Sequence, residues 1–199
     1  MQENEKRMVA EYEVFQAIHL GDKEIVMAEK PDAAPEARYL CAFCEANELF
    51  VSYTEVYTGE YLEIMQLFHK RLGLQIEQLK EERGEVTVSM TEITKEQCMP
   101  DQWSDCIEGK VVVIRATSLR REYRSADRQL VYVTGGFGAQ ANARGSAVFC
   151  TNLYSGKESR WERRDVQGQI RPDCLPDWAR IRLTEIQKEI QIGDEERGR

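Results

Sequence analysis

The sequence predicts an α+β protein: an N-terminal antiparallel β-meander with one long amphipathic helix, then a small antiparallel β-barrel or sandwich closed by a C-terminal helix. Three observations support this class, namely short strand-like runs near the N-terminus, one long stretch with helical periodicity, and a second series of short β-type runs from residue 110. We therefore divide the 199 residues into an acidic subregion (1–85), a connector (86–109) and a basic subregion (110–199). These parts can still pack as a single domain, because the length suits one large domain or two small ones.

The opening strands are indicated by residues that favour extended structure. Met8–Leu20 and Glu24–Ala28 are rich in Val, Ile, Met and aromatic residues, and Gly21–Asp22 between them predicts a hairpin turn. Two more strands are expected around Tyr39–Cys44 and Leu49–Tyr53. The chain is therefore predicted to begin as an antiparallel meander.

A long helix is predicted next, because apolar residues recur at a spacing of three or four from Tyr61 to Leu79. Thr58 is the expected N-cap, and Gly84 is expected to stop the helix after a charged tail. An amphipathic helix beside a meander predicts one layer of each, with the helix covering one face of the sheet.

The connector holds a candidate strand, Val86–Met90, and a capping box formed by Thr94 and Gln97. Beyond it the spacing of short β-type runs is typical of a small barrel or sandwich. The four predicted strands are Lys110–Ala116, Gln129–Thr134, Ser146–Tyr154 and Ser159–Val166. Pro176 then suits the first position of a final helix.

The charge distribution is the most informative feature of the sequence. Residues 1–109 hold 10 Lys and Arg against 23 Asp and Glu, a net charge of −13, whereas residues 110–182 hold 14 against 7, a net charge of +7. Residues 183–199 add −2, which gives the total of −8. The total therefore conceals two segments of opposite charge.

Arginine dominates the basic segment, and arginine suits bidentate phosphate contact and stacking. The predicted surface for nucleic acid or another polyanion consists of Arg120, Arg121, Arg124, Arg128, Arg144, Arg160, Trp161, Arg163 and Arg164. Exposed aromatic residues among them would suit stacking on single-stranded bases. Two alternatives remain open: ion pairs with interleaved carboxylates, and pairing of the basic with the acidic segment, within one chain or across a homodimer.

A glycine-rich segment from Gly135 to Gly145 is a candidate ligand loop. Its glycines Gly135, Gly136, Gly138 and Gly145 permit backbone approach to a ligand. The stretch matches the dinucleotide-binding pattern G-x-G-x-x-G/A, but it leads into another strand instead of opening a helix, which argues against nucleotide binding. The segment is otherwise expected to be a flexible hairpin loop.

Little in the sequence indicates catalysis, a metal or a cofactor, so we predict none of them and lean against an enzyme. Cys41 and Cys44 lie in a predicted strand and lack two further ligands at metal-site spacing, which favours core packing. His19 and His69 have no partners placed by the sequence. The enzymatic alternative is a small hydrolase or transferase that uses the glycine-rich segment with Cys150 or Asp165.

No apolar run approaches the roughly 18 residues of a membrane helix, and the N-terminal residues show no secretory signal pattern. Six cysteines without such a signal are typical of reduced thiols. We therefore expect a cytoplasmic protein that does not bind membranes.

Five segments of the chain carry a resemblance to a known family: Tyr12–Asp22, Asp127–Gly138, Ala143–Asn152, Arg160–Arg163 and Leu175–Ala179. They resemble an uncharacterised protein family carried on bacterial integrative and conjugative elements. The similarity covers most of the chain and is strongest over 110–179. It implies a cytoplasmic setting and favours interaction with nucleic acid or a protein partner, but it carries over no functional residue.

Together these observations predict a non-enzymatic interaction module of a mobile genetic element, whose basic surface contacts nucleic acid or an acidic protein. A second alternative, besides the enzyme, is an inhibitor or mimic that uses the acidic segment to occupy a basic site on another protein.

Overall fold

The computed structural model describes residues 6–46 and 50–197 and falls into two compact units, Met1–Glu85 and Val86–Arg199. Each unit contains one β-sheet, and every strand pairing in both sheets is antiparallel. The α+β class predicted from the sequence is confirmed. None of the helices in the described ranges is long and apolar enough to cross a membrane.

The first unit is a β-meander followed by one long helix, as the sequence predicted. It has five strands rather than four, because the predicted strand Met8–Leu20 is divided into two. Its strands pair in chain order. They are β1 (Met8–Val9), β2 (Tyr12–Leu20), β3 (Lys23–Glu29), β4 (Tyr39–Ala46) and β5 (Val51–Gly59). The helix α1 spans Tyr61–Gly84. Gly21 adopts a φ of +66° in the β2–β3 turn, a conformation that glycine reaches without a steric penalty.

The first sheet curls until its two ends are linked by Arg7, which precedes β1. The Arg7 guanidinium donates from Nε to the Tyr53 hydroxyl on β5 (3.0 Å) and from Nη1 to Glu24 Oε1 on β3 (3.0 Å). Apolar side chains inside the curl, including Val26 and Leu40, are buried. The fold is therefore a nearly closed barrel with its own small core.

Helix α1 covers the outer face of this barrel. Ile64 and Phe68 pack against Ile25, Met27 and Cys41 of the sheet. The helix begins after Glu60, because Thr58, the expected N-cap, belongs to β5. It also includes Gly84, the residue expected to end it.

The second unit contains six strands and two helices. The strands are β6 (Cys98–Pro100), β7 (Val111–Ile114), β8 (Leu130–Gly135), β9 (Ala147–Asn152), β10 (Glu158–Glu162) and β11 (Val166–Ile170). Their order in the sheet is β10-β9-β8-β7-β11-β6. The helices are the short α2 (Ala126–Gln129) and the C-terminal α3 (Asp177–Arg197).

The connection from β10 to β11 shows that the second sheet is strongly curled. Three residues, Arg163–Asp165, join strands that are four positions apart in the sheet order. Four Cα steps reach at most about 14 Å, whereas four strand spacings in a flat sheet amount to about 19 Å. The sheet must therefore bend round to bring β10 close to β11, which gives the second unit a barrel-like form.

Two apolar layers lie on the two faces of this curled sheet. Val112, Val131 and Val148 belong to an inner layer that no helix covers. The outer layer packs against Ala179 and Ile186 of α3. The C-terminal helix thus closes the outer face, as the sequence predicted.

The sequence misplaced some elements of this unit. Val86–Met90 forms no strand, whereas Cys98–Pro100 forms the unpredicted edge strand β6. The predicted strand Ser159–Val166 breaks at Arg163 and resumes as β11. The expected capping box of Thr94 and Gln97 is present, although it caps a single 3-10 turn.

Candidate functional site

The segment Arg115–Arg128, which we call the arginine loop, connects β7 to β8 and holds many of the predicted site residues. Two 3-10 turns and the short helix α2 give it regular structure. Tyr123 N donates to Arg120 O (2.9 Å) and Arg128 N donates to Ser125 O (3.0 Å), so its backbone is internally bonded. The loop therefore has a fixed path over the surface.

A buried glutamine anchors the C-terminal end of this loop. Gln129 has no exposed surface, and its side chain accepts from Ile93 N (2.7 Å) and donates to Ile114 O (3.1 Å). Ala126 N donates to Thr91 O (3.2 Å) at the start of α2. These bonds tie the loop to two other parts of the unit and hold its exposed residues in place.

The arginine loop presents guanidinium groups in different states. Arg120 and Arg121 are exposed, and in the described ranges no carboxylate or hydrogen-bond acceptor engages their side chains. Arg124 is half-buried and donates from Nε to Leu119 O (3.3 Å). The Arg128 guanidinium lies over the Tyr123 ring, with 4.7 Å from its carbon to the ring centre.

Carboxylates in the loop neutralise only part of this charge. Asp127 is buried and its Oδ2 lies 3.4 Å from Arg128 Nε. Arg164, on the turn between β10 and β11, is exposed beside Asp165. Asp165 Oδ1 accepts from Ser118 Oγ (2.9 Å), and Asp165 O accepts from Arg115 N (2.8 Å), so this turn is attached to the arginine loop.

Three other predicted residues lie outside the arginine loop. Arg160, on β10, forms an ion pair with Glu162 (2.8 Å). Trp161 packs against the inner apolar layer, and its indole nitrogen donates to Ser159 Oγ (3.1 Å), so most of the ring is unavailable for stacking. Arg144 is exposed on the glycine-rich segment.

Arg163 does not belong to an exposed surface, because it is only 2% accessible. Its Nε and Nη2 bind both carboxylate oxygens of Asp101, at 2.8 and 2.7 Å. It also donates to the carbonyl oxygens of Gly138 (2.8 Å), Gln102 (2.9 Å) and Asp105 (3.0 Å). This burial corrects its assignment to a polyanion-binding surface, because its guanidinium group is enclosed and bonded to Asp101 and to main-chain carbonyl oxygens.

The segment from Gly135 to Gly145 is packed tightly against β9 rather than held open for a ligand. A Cβ on Gly138 would lie 2.2 Å from Ser146 O, and one on Gly136 would lie 2.4 Å from Ala147 O. A Cβ on Gly145 would lie 2.7 Å from the Phe137 Cβ. These glycines therefore serve close packing, which corrects the expectation of a flexible loop, and the segment presents Phe137 to solvent.

A surface cavity of about 400 Å³ lies beside this segment. Its lining residues are Thr134, Phe149, Cys150, Glu158 and Ser159. Burial raises the pKa of the Cys150 thiol to about 12, so the thiol stays protonated at neutral pH. Asp165 is occupied by Ser118 and by the Glu162 main-chain nitrogen. Neither residue is thus prepared for nucleophilic or acid–base chemistry.

The pair Cys41 and Cys44 cannot act as a chelating unit. The two buried thiols lie on opposite faces of β4, one under α1 and the other inside the first barrel. Across residues 6–46 and 50–197 no group of three or more His, Cys, Asp or Glu side chains could hold a metal ion.

The two units differ in charge, although less than the linear segments do. The first unit holds 9 basic and 18 acidic residues, a net charge of −9, and the second holds 18 and 17, a net charge of +1. The acidic connector folds into the second unit, where Asp101 neutralises Arg163. The second unit as a whole is therefore nearly neutral, and positive charge occurs in it only at particular places such as the arginine loop.

Comparisons of the chain with protein-family models, with curated protein sequences and with solved structures find no match.

Proposed function

We propose that the protein is a non-enzymatic interaction module that binds nucleic acid through the arginine loop. The observation that carries this proposal is the pair of exposed guanidinium groups at Arg120 and Arg121, next to the stacked Arg128 and Tyr123. Guanidinium groups bind phosphate oxygens in a bidentate manner, and flat arginine and tyrosine side chains stack on bases. Single-stranded nucleic acid satisfies both features, whereas an acidic protein, the alternative partner, satisfies only the first.

Because the path of the loop is fixed, binding of nucleic acid is favoured over a loop that only contacts solvent. Lost side-chain freedom weakens association, so arginines on a backbone held by Gln129 and α2 lose less on binding than arginines on a mobile loop. Arg164 adds a further exposed guanidinium on the attached turn. Arg144 and Arg160 are not needed for the proposal, and Arg163 has no part in it.

The enzymatic alternative receives less support. The cavity beside β9 contains a cysteine, but its pKa is shifted upward, which lowers the thiolate fraction that would act as nucleophile. No histidine or lysine lines that cavity among the described residues. The resemblance to proteins of integrative and conjugative elements adds a proposed setting, an accessory role for mobile DNA in the bacterial cytoplasm.

The test is direct binding of the full chain to a fluorescein-labelled 20-nucleotide single strand, followed by fluorescence anisotropy at low salt. We expect the double variant Arg120→Ser/Arg121→Ser to bind at least ten times more weakly. The matched control Lys157→Ser/Lys188→Ser removes the same charge from exposed positions outside the loop and should bind within twofold of the wild type.

Two outcomes contradict the proposal. Absence of binding to any oligonucleotide at low salt would exclude it, because phosphate contacts are strongest there. Equal or tighter binding of poly-glutamate of the same charge would assign the loop to an acidic protein partner instead.

A further inference from the structure

The strand β5 forms one edge of the sheet in the acidic first unit. It pairs only with β4, and in the described ranges no main-chain hydrogen bond from another segment reaches its outer side. Its nine residues include five consecutive exposed positions, Thr54–Thr58. An open edge of this length offers unpaired N–H and C=O groups to another strand.

The other three sheet edges of the molecule carry the devices that prevent such pairing. The opposite edge of the same sheet, β1, is two residues long, and β6 is three residues long and ends in Pro100. The fourth edge, β10, alternates charged residues, Glu158, Arg160 and Glu162. Short length, proline and charge are the usual protections of an edge strand. Strand β5 is longer than β1 and β6 and has no proline, although Glu55 and the bulge at that residue interrupt it.

Apolar side chains on β5 are exposed where an edge strand normally carries lysine. Val51, Val56 and Tyr57 are 56%, 47% and 57% accessible. Side chains of this type provide pockets and contacts for alternate residues of an added strand, while the main chain provides the hydrogen bonds.

The edge is also braced from behind. Arg71 of α1 is buried and donates from Nη2 to Glu55 O (2.6 Å). Its guanidinium lies between the rings of Phe43 (4.6 Å) and Tyr57 (5.4 Å). Glu55 has a φ of +48°, so this bond holds a bulge that divides the edge into two straight segments, Val51–Thr54 and Val56–Gly59. The edge therefore keeps one shape with or without a partner.

The negative charge around β5 favours one kind of partner strand. The stretch from Phe50 to Glu60 contains Glu55 and Glu60 and no basic residue, within a unit of net charge −9. The Glu55 carboxylate lies 3.5 Å from Arg71 Nη2, so Glu60 and the net charge of the unit provide most of the negative potential at this edge. An extended strand that carries lysine or arginine complements this potential, whereas a second copy of β5, which has no basic residue, does not.

From these observations we propose that β5 is a docking edge that accepts an extended, basic segment of a partner protein by strand addition. This site is independent of the arginine loop, because it lies on the other unit and needs a basic ligand instead of an acidic one.

The probe is a synthetic nine-residue peptide of alternating lysine and valine, labelled with fluorescein and titrated with the full chain. Two control peptides carry the argument: alternating lysine and proline keeps the charge but removes main-chain donors, and alternating glutamate and valine reverses the charge. We expect both controls to bind at least ten times more weakly than the lysine–valine peptide. Amide signals of β5 should also become protected from hydrogen exchange when that peptide is present.

Matched protein variants localise the site. Val56→Lys places a positive charge on the edge and should weaken peptide binding at least tenfold, whereas Leu74→Lys places it on an exposed position of α1 and should change binding less than twofold. Three results would overturn the proposal: no peptide binding at low salt, equal binding of the proline peptide, or a wild-type dimer that Val56→Lys dissociates. Failure of the full chain to bind oligonucleotides would contradict the proposed function of the arginine loop, but it would not contradict peptide binding at β5.

Discussion

A guanidinium group that leaves water must regain its hydrogen bonds inside the protein, and Arg163 does so with five of them. Two go to Asp101, which is 62 residues away in the chain, and three go to main-chain carbonyl groups. Replacing one member of a buried pair leaves the other charge without compensation, which costs more than the pair itself contributes. Arg163 is thus the residue that fixes the turn after β10, the glycine-rich segment and the segment around Trp103 relative to one another.

We therefore predict that Arg163→Met lowers the unfolding free energy of the second unit by about 3 kcal/mol, because Asp101, whose side chain is only 13% accessible, is left without its partner. Urea unfolding followed by tryptophan fluorescence measures this unit selectively, since Trp103, Trp161 and Trp178 all lie in it.

Two further variants check the cause of this loss. Arg164→Met changes the exposed neighbour and should alter the unfolding free energy by no more than about 0.5 kcal/mol. Arg163→Lys keeps the charge but loses the bidentate geometry, so its stability should fall between those of the wild type and Arg163→Met. Equal losses at positions 163 and 164 would show that the buried pair is not the cause.

At the scale of single elements, the sequence correctly predicted those helices and strands whose residue pattern is strong. Helix α1 and the β2–β3 hairpin were predicted because seven apolar positions between Tyr61 and Leu79 follow the helical period and Gly21 favours a left-handed turn. Strands β6 and β11 were missed because they are short and carry Pro100 and Gly168, which normally argue against strands. Gly168 is required there by its neighbour, since a Cβ would lie 2.1 Å from Met99 O.

The candidate site was predictable only in part for a related reason. The sequence indicated where arginines cluster, but not which of them are exposed. Arg120 and Arg163 look alike in a sequence, and the difference depends on Asp101, whose position is determined by the curl of the whole sheet. Likewise, the sequence allows the glycines of the segment 135–145 to serve either ligand approach or close packing. The structure shows close packing, because β9 lies directly against this segment.

The closure of the first barrel leads to a prediction about pH. The hydrogen bonds from Arg7 lower the pKa of Glu24 below its ordinary value of 4.5, even though partial burial acts in the opposite direction. A carboxyl group whose pKa is lower in the folded state stabilises the fold above its unfolded-state pKa, and this contribution is lost as the pH falls through the folded-state value. The first unit should therefore be stabilised by Glu24 at neutral pH and lose that stabilisation below pH 4.5.

The measurement compares wild type with Glu24→Gln by urea unfolding at pH 7, 5, 4 and 3, with amide NMR signals of β3 reporting on the first unit. The stability difference should be largest at pH 7 and should shrink as the pH falls, because wild-type Glu24 then becomes neutral as well. Glu45→Gln, at an exposed position on β4, should show no such trend. A difference that is constant from pH 7 to 3 would contradict a role for the Glu24 charge.

At the scale of the whole molecule, a net charge of −8 would by itself disfavour polyanions, yet the charge is unevenly distributed. The first unit carries −9 and the second +1, so the molecule combines an acidic unit with a nearly neutral one. Several exposed arginines of the second unit share one loop, and the others are distributed over the unit. Long-range attraction is therefore weak, and binding of nucleic acid has to come from short-range phosphate contacts of a few residues.

This charge distribution predicts a shallow salt dependence. If Arg120, Arg121 and Arg128 each contact one phosphate of a single strand, the logarithm of the binding constant should fall with the logarithm of the salt concentration with a slope of about −2, since each contact contributes about −0.7. The double variant Arg120→Ser/Arg121→Ser should reduce the slope to about −0.7, because one contact remains. The Lys157→Ser/Lys188→Ser control should keep the wild-type slope. A slope that both double variants reduce equally would mean that the oligonucleotide senses the charge of the unit as a whole, and the arginine loop would then have no special role.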